Sequence, residues 1–303
     1  MKKSLIKMFA AVMTLVTAMV VSSVSAFAAD EVYGEVDWST GTIRVEGYGV
    51  MNPKFSAPGQ RKLSAIDAAK ANAYAQLLAI VKGIKIDAVT NVENYMVEHQ
   101  GIDTRVSGIV RGAKMIGQPR WEGDICYVVM EMSIYGGSSS LAATVLERPA
   151  QQEPIPAPIP NVTASNVSVS VDVSVTQSVS TTQVNRPAAR ASGNYTGVII
   201  DCRGLPQGQL DRIMSPVIMN QSGQKIYGHK NLNYDLVIEK GMAGYSEGTS
   251  SLGRAGSNPL VIKAVALANA NAYPVISDAD ANRMLLENSK SHFLDNLNVV
   301  FIR

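Results

Sequence analysis

The residues that could do chemistry lie in the C-terminal part of the chain, where a serine stands between two glycines. Gly244-Tyr-Ser-Glu-Gly248 matches the Gly-x-Ser-x-Gly pattern, and Asp278 or Asp280 and then His292 follow in the chain order of an α/β-hydrolase. That chemistry needs a strand before Ser246 and a helix after it. The sequence instead predicts a helix before the motif and a glycine- and serine-rich loop after it. A serine hydrolase using Ser246 is therefore a remote alternative.

The other candidate motifs are weaker still. Ser222-Gly-Gln-Lys225 matches Ser-x-x-Lys of penicillin-recognising enzymes, but it lies in a predicted hairpin turn and has no Lys-Thr-Gly partner. His99, His229 and His292 are isolated, without a second ligand at helical spacing. We therefore predict no catalytic residue, no metal site and no cofactor, and we expect that the protein is not an enzyme.

The chain has two cysteines, Cys126 and Cys202. They could pair in an oxidising compartment. Each falls in an apolar run typical of a strand, so the favoured interpretation is a small buried side chain in each of two separate domains. The sequence alone leaves the pairing open.

The first residues predict export. Lys2, Lys3 and Lys7 precede an apolar run from Met8 to Val21, and Ala26-Phe-Ala28 supplies the small-x-small pattern of a cleavage site. Residues 1–28 are therefore predicted to be a cleaved secretory signal. No cysteine stands at the predicted cleavage point, where acylation would require one, so we expect any membrane association to be indirect.

The length and net charge of the chain limit the number of domains and the kinds of partner. The 303 residues allow roughly two domains at ~100–200 residues each. The formal charge of +2 becomes −1 when the three lysines of the signal are removed. The chain has no stripe dense in lysine or arginine, so we expect no nucleic-acid partner.

Residues 29–146 are predicted to form one α+β domain. Thr42–Val50 alternates as a strand does, and a long helix ending at Gly83 places Leu63 and other apolar residues on one stripe. A strand over 84–90, a short helix ending near Arg111 and a hairpin turning at residues 121–124 follow. We expect an antiparallel sheet with one long packed helix.

Residues 147–192 are predicted to be a low-complexity linker. A proline-rich run over 154–160 indicates a stiff polyproline-II spacer. The next segment, 162–184, consists almost wholly of Val, Ser, Thr, Asn and Gln, with valine at alternate positions from Val167 to Val175. A disordered linker is the first interpretation, and a strand that pairs with a sheet edge or with another copy of itself is the alternative.

Residues 193–303 are predicted to be a second small domain of the α/β or α+β class. The pattern indicates a buried strand at 196–204, a hairpin about residues 221–223 and a helix over 234–240. A loop over 244–257, a helix capped by Ser277 and a last apolar strand complete it. We expect one small sheet.

Three motifs occur in a fixed order in the N-terminal part: Ala68-Ala-Lys-Ala-Asn-Ala-Tyr74, Val81-Lys-Gly-Ile-Lys-Ile-Asp87 and Thr104-Arg-Val-Ser-Gly-Ile-Val-Arg-Gly-Ala113. With their flanks, from Ile43 to Tyr135, they resemble the core domain of the Lpp-twenty family of bacterial envelope lipoproteins. Segments after residue 195 look like the second domain of longer relatives. The resemblance implies an envelope structural or assembly role without catalysis, since some relatives build disc-like or ring-like assemblies around the flagellar basal body.

The leading hypothesis is thus an exported, non-enzymatic protein of the periplasm or cell envelope, with secretion left open. Its expected partners are envelope proteins or further copies of itself, and flagellar and outer-membrane association both remain alternatives. A second hypothesis is a periplasmic module that binds a small ligand or glycan through the loop over 244–257.

Overall fold

The structure is a computed structural model that describes residues 34–159, 191–248 and 252–303. The predicted signal, 1–28, and the Val/Ser segment, 162–184, lie outside these ranges. The described residues from Gly34 onward form one compact unit. Among the helices described, none is both long and apolar enough to cross a bilayer.

The N-terminal half is the expected antiparallel sheet under one long helix, which confirms the predicted α+β class. The strand order is β1-β2-β4-β3. The elements of this half are β1 (Glu35–Asp37), β2 (Thr42–Val50), α1 (Pro58–Gly83), α2 (Val92–Glu98), α3 (Ile102–Arg111), β3 (Lys114–Glu122), β4 (Ile125–Ser133) and α4 (Leu141–Val145).

Small residues set the contact between α1 and the sheet. The helix buries a row at intervals of four residues: Ala65, Ala69, Ala73, Leu77 and Val81. This row faces Gly47 and Gly49 of β2, where an added Cβ would collide with the helix backbone. The predicted stripe was wrong at Leu63, which is 60% exposed. The helix lies so close to the strand that alanines, not leucines, fill most of the contact.

The segment over 84–90 is not the strand that its alternation predicts. The Asp87 carboxylate accepts hydrogen bonds from the amides of Val89 and Thr90, which turns the chain after two residues. The carbonyls of Lys85 and Ile86 instead accept from the amides of residues 214 and 215 in the C-terminal half. The segment therefore joins the two halves.

The C-terminal half contains two four-stranded sheets among the described residues, where the sequence predicted one. The first is all parallel, in the order β8-β12-β5-β9, and the second is mixed, in the order β10-β11-β6-β7. The elements are β5 (Gly197–Asp201), β6 (Ile218–Asn220), β7 (Lys225–Tyr227), α5 (Tyr234–Lys240), β8 (Gly244–Ser246), β9 (Pro259–Lys263), β10 (Ala266–Ala268), β11 (Tyr273–Ile276), α6 (Asp278–Ser291) and β12 (Val299–Ile302).

Several local predictions for this half are confirmed. The hairpin turns at residues 221–223, and α5 ends before Gly241, whose φ is +74°. Ser277 caps α6 by accepting a hydrogen bond from the amide of Asp280 at 3.0 Å.

The two halves share one hydrophobic core. Trp38, just after β1, meets Tyr245 of β8 edge to face with ring centroids 5.5 Å apart. The ring of Tyr135 occupies the space beside Gly41 and Gly241, where added Cβ atoms would collide with it. Glycines on both sides therefore let this aromatic side chain sit between the halves.

Residues 147–159, the start of the predicted linker, lie along the C-terminal half. The amide of Glu153 donates to the carbonyl of Lys230 at 2.8 Å, and the amide of Ile159 donates to Asn282 Oδ1 of α6 at 2.7 Å. In the next described range, the amide of Ser192 donates to the carboxylate of Glu287 in the same helix at 2.9 Å. Five helical residues separate these anchors, a rise of about 7.5 Å. Ile159 and Ser192 are thus both anchored to one helix.

Candidate functional site

Ser246 is the last residue of β8, an edge strand of the parallel sheet. The helix predicted before the motif is present as α5, but a short buried strand, Gly244–Ser246, follows it where the sequence predicted a loop from Gly244. The Ser246 hydroxyl donates to the carbonyl of Gly248 at 2.7 Å and accepts from its amide. These local bonds occupy the hydroxyl, and none of its described partners is a histidine or a carboxylate.

The remaining residues of the candidate triad have other partners. Asp278 accepts hydrogen bonds from the amide and hydroxyl of Ser222, and Asp280 accepts from the hydroxyl of Ser277. His292 ends α6 in a left-handed conformation and lies 3.7 Å from Asp295. The hydrogen bonds of the described residues therefore do not assemble a serine, a histidine and an aspartate.

The other candidate motifs also have structural roles. Ser222 belongs to the predicted hairpin turn and Lys225 opens β7, so the pair is not helical. His99 stacks on Tyr95, with ring centroids 4.0 Å apart, and His229 Nε2 lies 2.7 Å from the carbonyl oxygen of Glu147. Within the described ranges, no three His, Cys, Asp or Glu residues gather as a metal site would require.

Cys126 and Cys202 are both free and buried, as the favoured interpretation had it. Burial raises the pKa of the Cys202 thiol to about 12, with Asp201 adding to the effect. The thiolate is therefore scarce at neutral pH, and neither geometry nor acidity indicates a reactive cysteine.

A charged cluster at the carboxyl ends of β8 and β12 was missed by the sequence analysis. Glu247 follows β8 and Arg303 follows β12, and parallel pairing brings them together. Arg212 pairs with Glu247 and also lies 3.5 Å from Glu35 of β1. Burial and the neighbouring Arg212 lower the pKa of Arg303. Two carboxylates and two guanidinium groups thus connect the halves in this cluster, and the Nε groups of Arg212 and Arg303 are buried without a hydrogen-bond partner among the described residues.

A second polar centre surrounds Arg254. Its guanidinium donates to the carbonyls of Lys240, Gly241 and Leu297. Burial lowers the pKa of Arg254. Arg254 thereby satisfies the carbonyls at the end of α5, and with Tyr135 it lines a groove of about 390 Å³ between the halves. Burial also raises the pKa of Tyr135, to about 12.

A cleft lies at the end of the N-terminal sheet, between α3 and the segment that follows β4. Its volume is about 750 Å³. Arg105 and Gly108 of α3 and Gly112, which follows the helix, form one side, and Tyr135 and Ser139 stand on the other. The motif over 104–113 contains three of these residues, but nothing in its spacing showed that they would face a cavity. Arg111, in the same motif, does not line the cleft.

The protein thus has an α+β half packed against an α/β half, with clefts and open surfaces but without an assembled catalytic set among the described residues. Two family models match it, one in each half. Residues 51–133 match the LPP20 lipoprotein family. Residues 197–303 match the second domain of Treponema pallidum Tp0624.

The two matches confirm the resemblance predicted from the sequence for each half. The first is to a lipoprotein family and supports the coarse prediction of an exported, envelope-associated protein. No curated protein matches the chain.

Proposed function

We propose that this protein is a non-catalytic structural or assembly component of the cell envelope, which acts through contacts with envelope proteins or with further copies of itself. The observation that carries the proposal is the face of the N-terminal sheet opposite α1. We call it the open face and define it by Tyr48, Val50, Ile116, Arg120 and Tyr127. Tyr48 is 57% and Val50 is 56% exposed.

The open face combines apolar area with fixed charge. Cross-strand pairing aligns Tyr48 with Tyr127 and Tyr127 with Arg120, whose guanidinium lies 4.1 Å from the Tyr127 ring centroid. Arg120 also pairs with Glu46 and Glu122 at the margin of the face. Aromatic residues and arginine are the types most enriched in protein interfaces, and an apolar patch with a polar rim is their usual arrangement.

The edges of the same sheet are poor places for another strand to add. On β2, the amide of Tyr48 donates to Asn72 Oδ1, and the Gln76 side chain donates to the carbonyl of Glu46. On β3, the pairing shifts between Ile116 and Arg120, and Pro119 lacks an amide hydrogen. These features favour association through the face rather than through an edge.

Light scattering after size-exclusion chromatography tests the proposal on residues 29–303, alongside crosslinking in intact envelopes. We expect a concentration-dependent oligomer or a crosslinked envelope partner. Val50→Glu should weaken that association about tenfold, because a charge would be desolvated in the contact. The matched control is Val97→Glu, which alters a valine that is 83% exposed on α2. A protein that is monomeric at every concentration and has no crosslinked partner contradicts the proposal.

Cell fractionation addresses the finer part of the proposal. Recovery with the outer membrane or with flagellar basal bodies would support the corresponding association. Recovery only in the periplasmic or secreted fraction would exclude both.

A further inference from the structure

We propose that the cleft beside α3 binds an acidic peptide, with Arg105 and Lys114 as its carboxylate-binding groups. The first argument is charge. The side chains of Arg105 and Lys114 form no ion pair or hydrogen bond with the described part of the chain, although both residues line the cleft. Glu131 is the one carboxylate among the described lining residues, and it lies 2.5 Å from Arg44.

The cleft therefore has two cationic side chains without an ion pair among the described residues, and Glu131, which stands opposite Lys114 across the strands, is paired with Arg44. An arginine recognises a carboxylate through two parallel N–H donors, and such charge-assisted bonds are stronger than neutral ones. This charge distribution differs from the Arg212–Arg303 cluster, in which Glu35 and Glu247 already supply the carboxylates.

The second argument is shape. Gly108 and Gly112 place backbone rather than side chains along the α3 side, and a Cβ at Gly108 would meet nothing within 4 Å. The volume of about 750 Å³ lies within the usual range for ligand sites, roughly 300–1,000 Å³. A bare helix surface of this kind accepts an extended chain more readily than one filled by side chains.

The third argument is the composition of the walls. Ile109, Met132 and Tyr135 give the cleft apolar area, and Ser133 and Ser139 add exposed hydroxyl groups. A free phosphate would use only the cations. A peptide with acidic side chains would use the cations, the apolar walls and the hydroxyls together. This mixed lining favours the peptide.

Fluorescence polarisation on the full exported chain tests the proposal with a labelled hexapeptide of alternating Asp and Ala. The comparison peptide replaces each Asp by Asn. We expect Arg105→Gln and Lys114→Gln each to weaken binding of the acidic peptide about tenfold, the loss expected for one charge-assisted hydrogen bond. Arg111→Gln is the matched control, because it removes the same charge from the same helix outside the cleft. It should change the affinity less than twofold.

A second variant tests the shape argument. Gly108→Leu should fill the cleft and abolish binding while leaving the unfolding temperature the same or higher, because leucine has the higher helix propensity. Four outcomes overturn the proposal: no binding, equal binding of the Asn peptide, an equal loss with Arg111→Gln, or full displacement by inorganic phosphate at the peptide's own concentration.

Discussion

The two halves of the molecule achieve close packing by opposite means. In the N-terminal half, α1 reaches β2 because side chains are absent: alanines face Gly47 and Gly49. In the C-terminal half, long polar side chains enter the core and bind backbone groups. Tyr245 donates to the carbonyl of Ile213 at 2.9 Å, and Arg254 donates to three carbonyls. Substitutions that enlarge a side chain should therefore destabilise the N-terminal half most. Substitutions that remove a polar side chain should destabilise the C-terminal half most.

The sharpest test of this comparison adds one methyl group at each of two glycines. Gly47→Ala should lower the free energy of unfolding by about 3 kcal/mol, because the new Cβ would collide with the Ala69 carbonyl and lie 2.7 Å from the Ala73 Cβ. Gly108→Ala, on open helix surface, should raise it by up to about 1 kcal/mol. Urea denaturation measures both. Equal effects of the two substitutions would show that backbone proximity does not govern the α1 contact.

The next test removes atoms from the C-terminal half. Arg254→Met should lower the free energy of unfolding by about 2 kcal/mol, because it leaves the carbonyls of Lys240, Gly241 and Leu297 without their donor. Arg105→Met is the control, since Arg105 is exposed and has no described partner, and should change it by less than about 0.5 kcal/mol. Urea denaturation of both variants and of the wild type measures these changes. Equal stability of the two variants would show that the hydrogen bonds of Arg254 do not stabilise the fold.

The sequence predicted those structural elements that depend on local signals. The strand over Thr42–Val50, the cap at Ser277 and the stop at Gly241 all follow from alternation or from short-range backbone chemistry, and the structure confirms them. The exposure of Leu63 was missed because hydropathy favours leucine at the core. The two glycines of the facing strand select alanine instead, and their position depends on tertiary packing.

The candidate site was less predictable for a related reason. The pattern around Ser246 is local, but its chemistry depends on partners from distant segments, and the described structure gives those residues other contacts. Arg105 was noticed as part of a motif. Its position in a cleft depends on where the chain turns after β4. The alternating patterns of β3 and β4 do not indicate that turn. The paired strands β8 and β12, which bring Glu247 beside Arg303, are likewise far apart in the chain.

The smallest expected effect concerns a single buried carboxylate of the C-terminal half. Glu287 accepts hydrogen bonds from the amides of Ser192 and Gly193 and from the Ser192 hydroxyl. Burial raises the pKa of Glu287, but these hydrogen bonds together outweigh burial and lower it below its ordinary value. The carboxylate therefore stabilises the fold above the pKa of the unfolded chain, about 4.3, and this contribution is lost as the pH falls through the lower folded value.

Glu287→Gln should accordingly flatten the loss of stability between about pH 5 and pH 3, because glutamine does not titrate in this range. Glu98→Gln, at an exposed position without a described ion pair, should leave the pH dependence unchanged. Thermal unfolding at a series of pH values measures both. The hydrogen bonds of Glu287 fix Ser192 and Gly193 to α6, just before β5 begins. If both variants kept the wild-type dependence of stability on pH, the hydrogen bonds of Glu287 would not be what fixes Ser192 and Gly193 to α6.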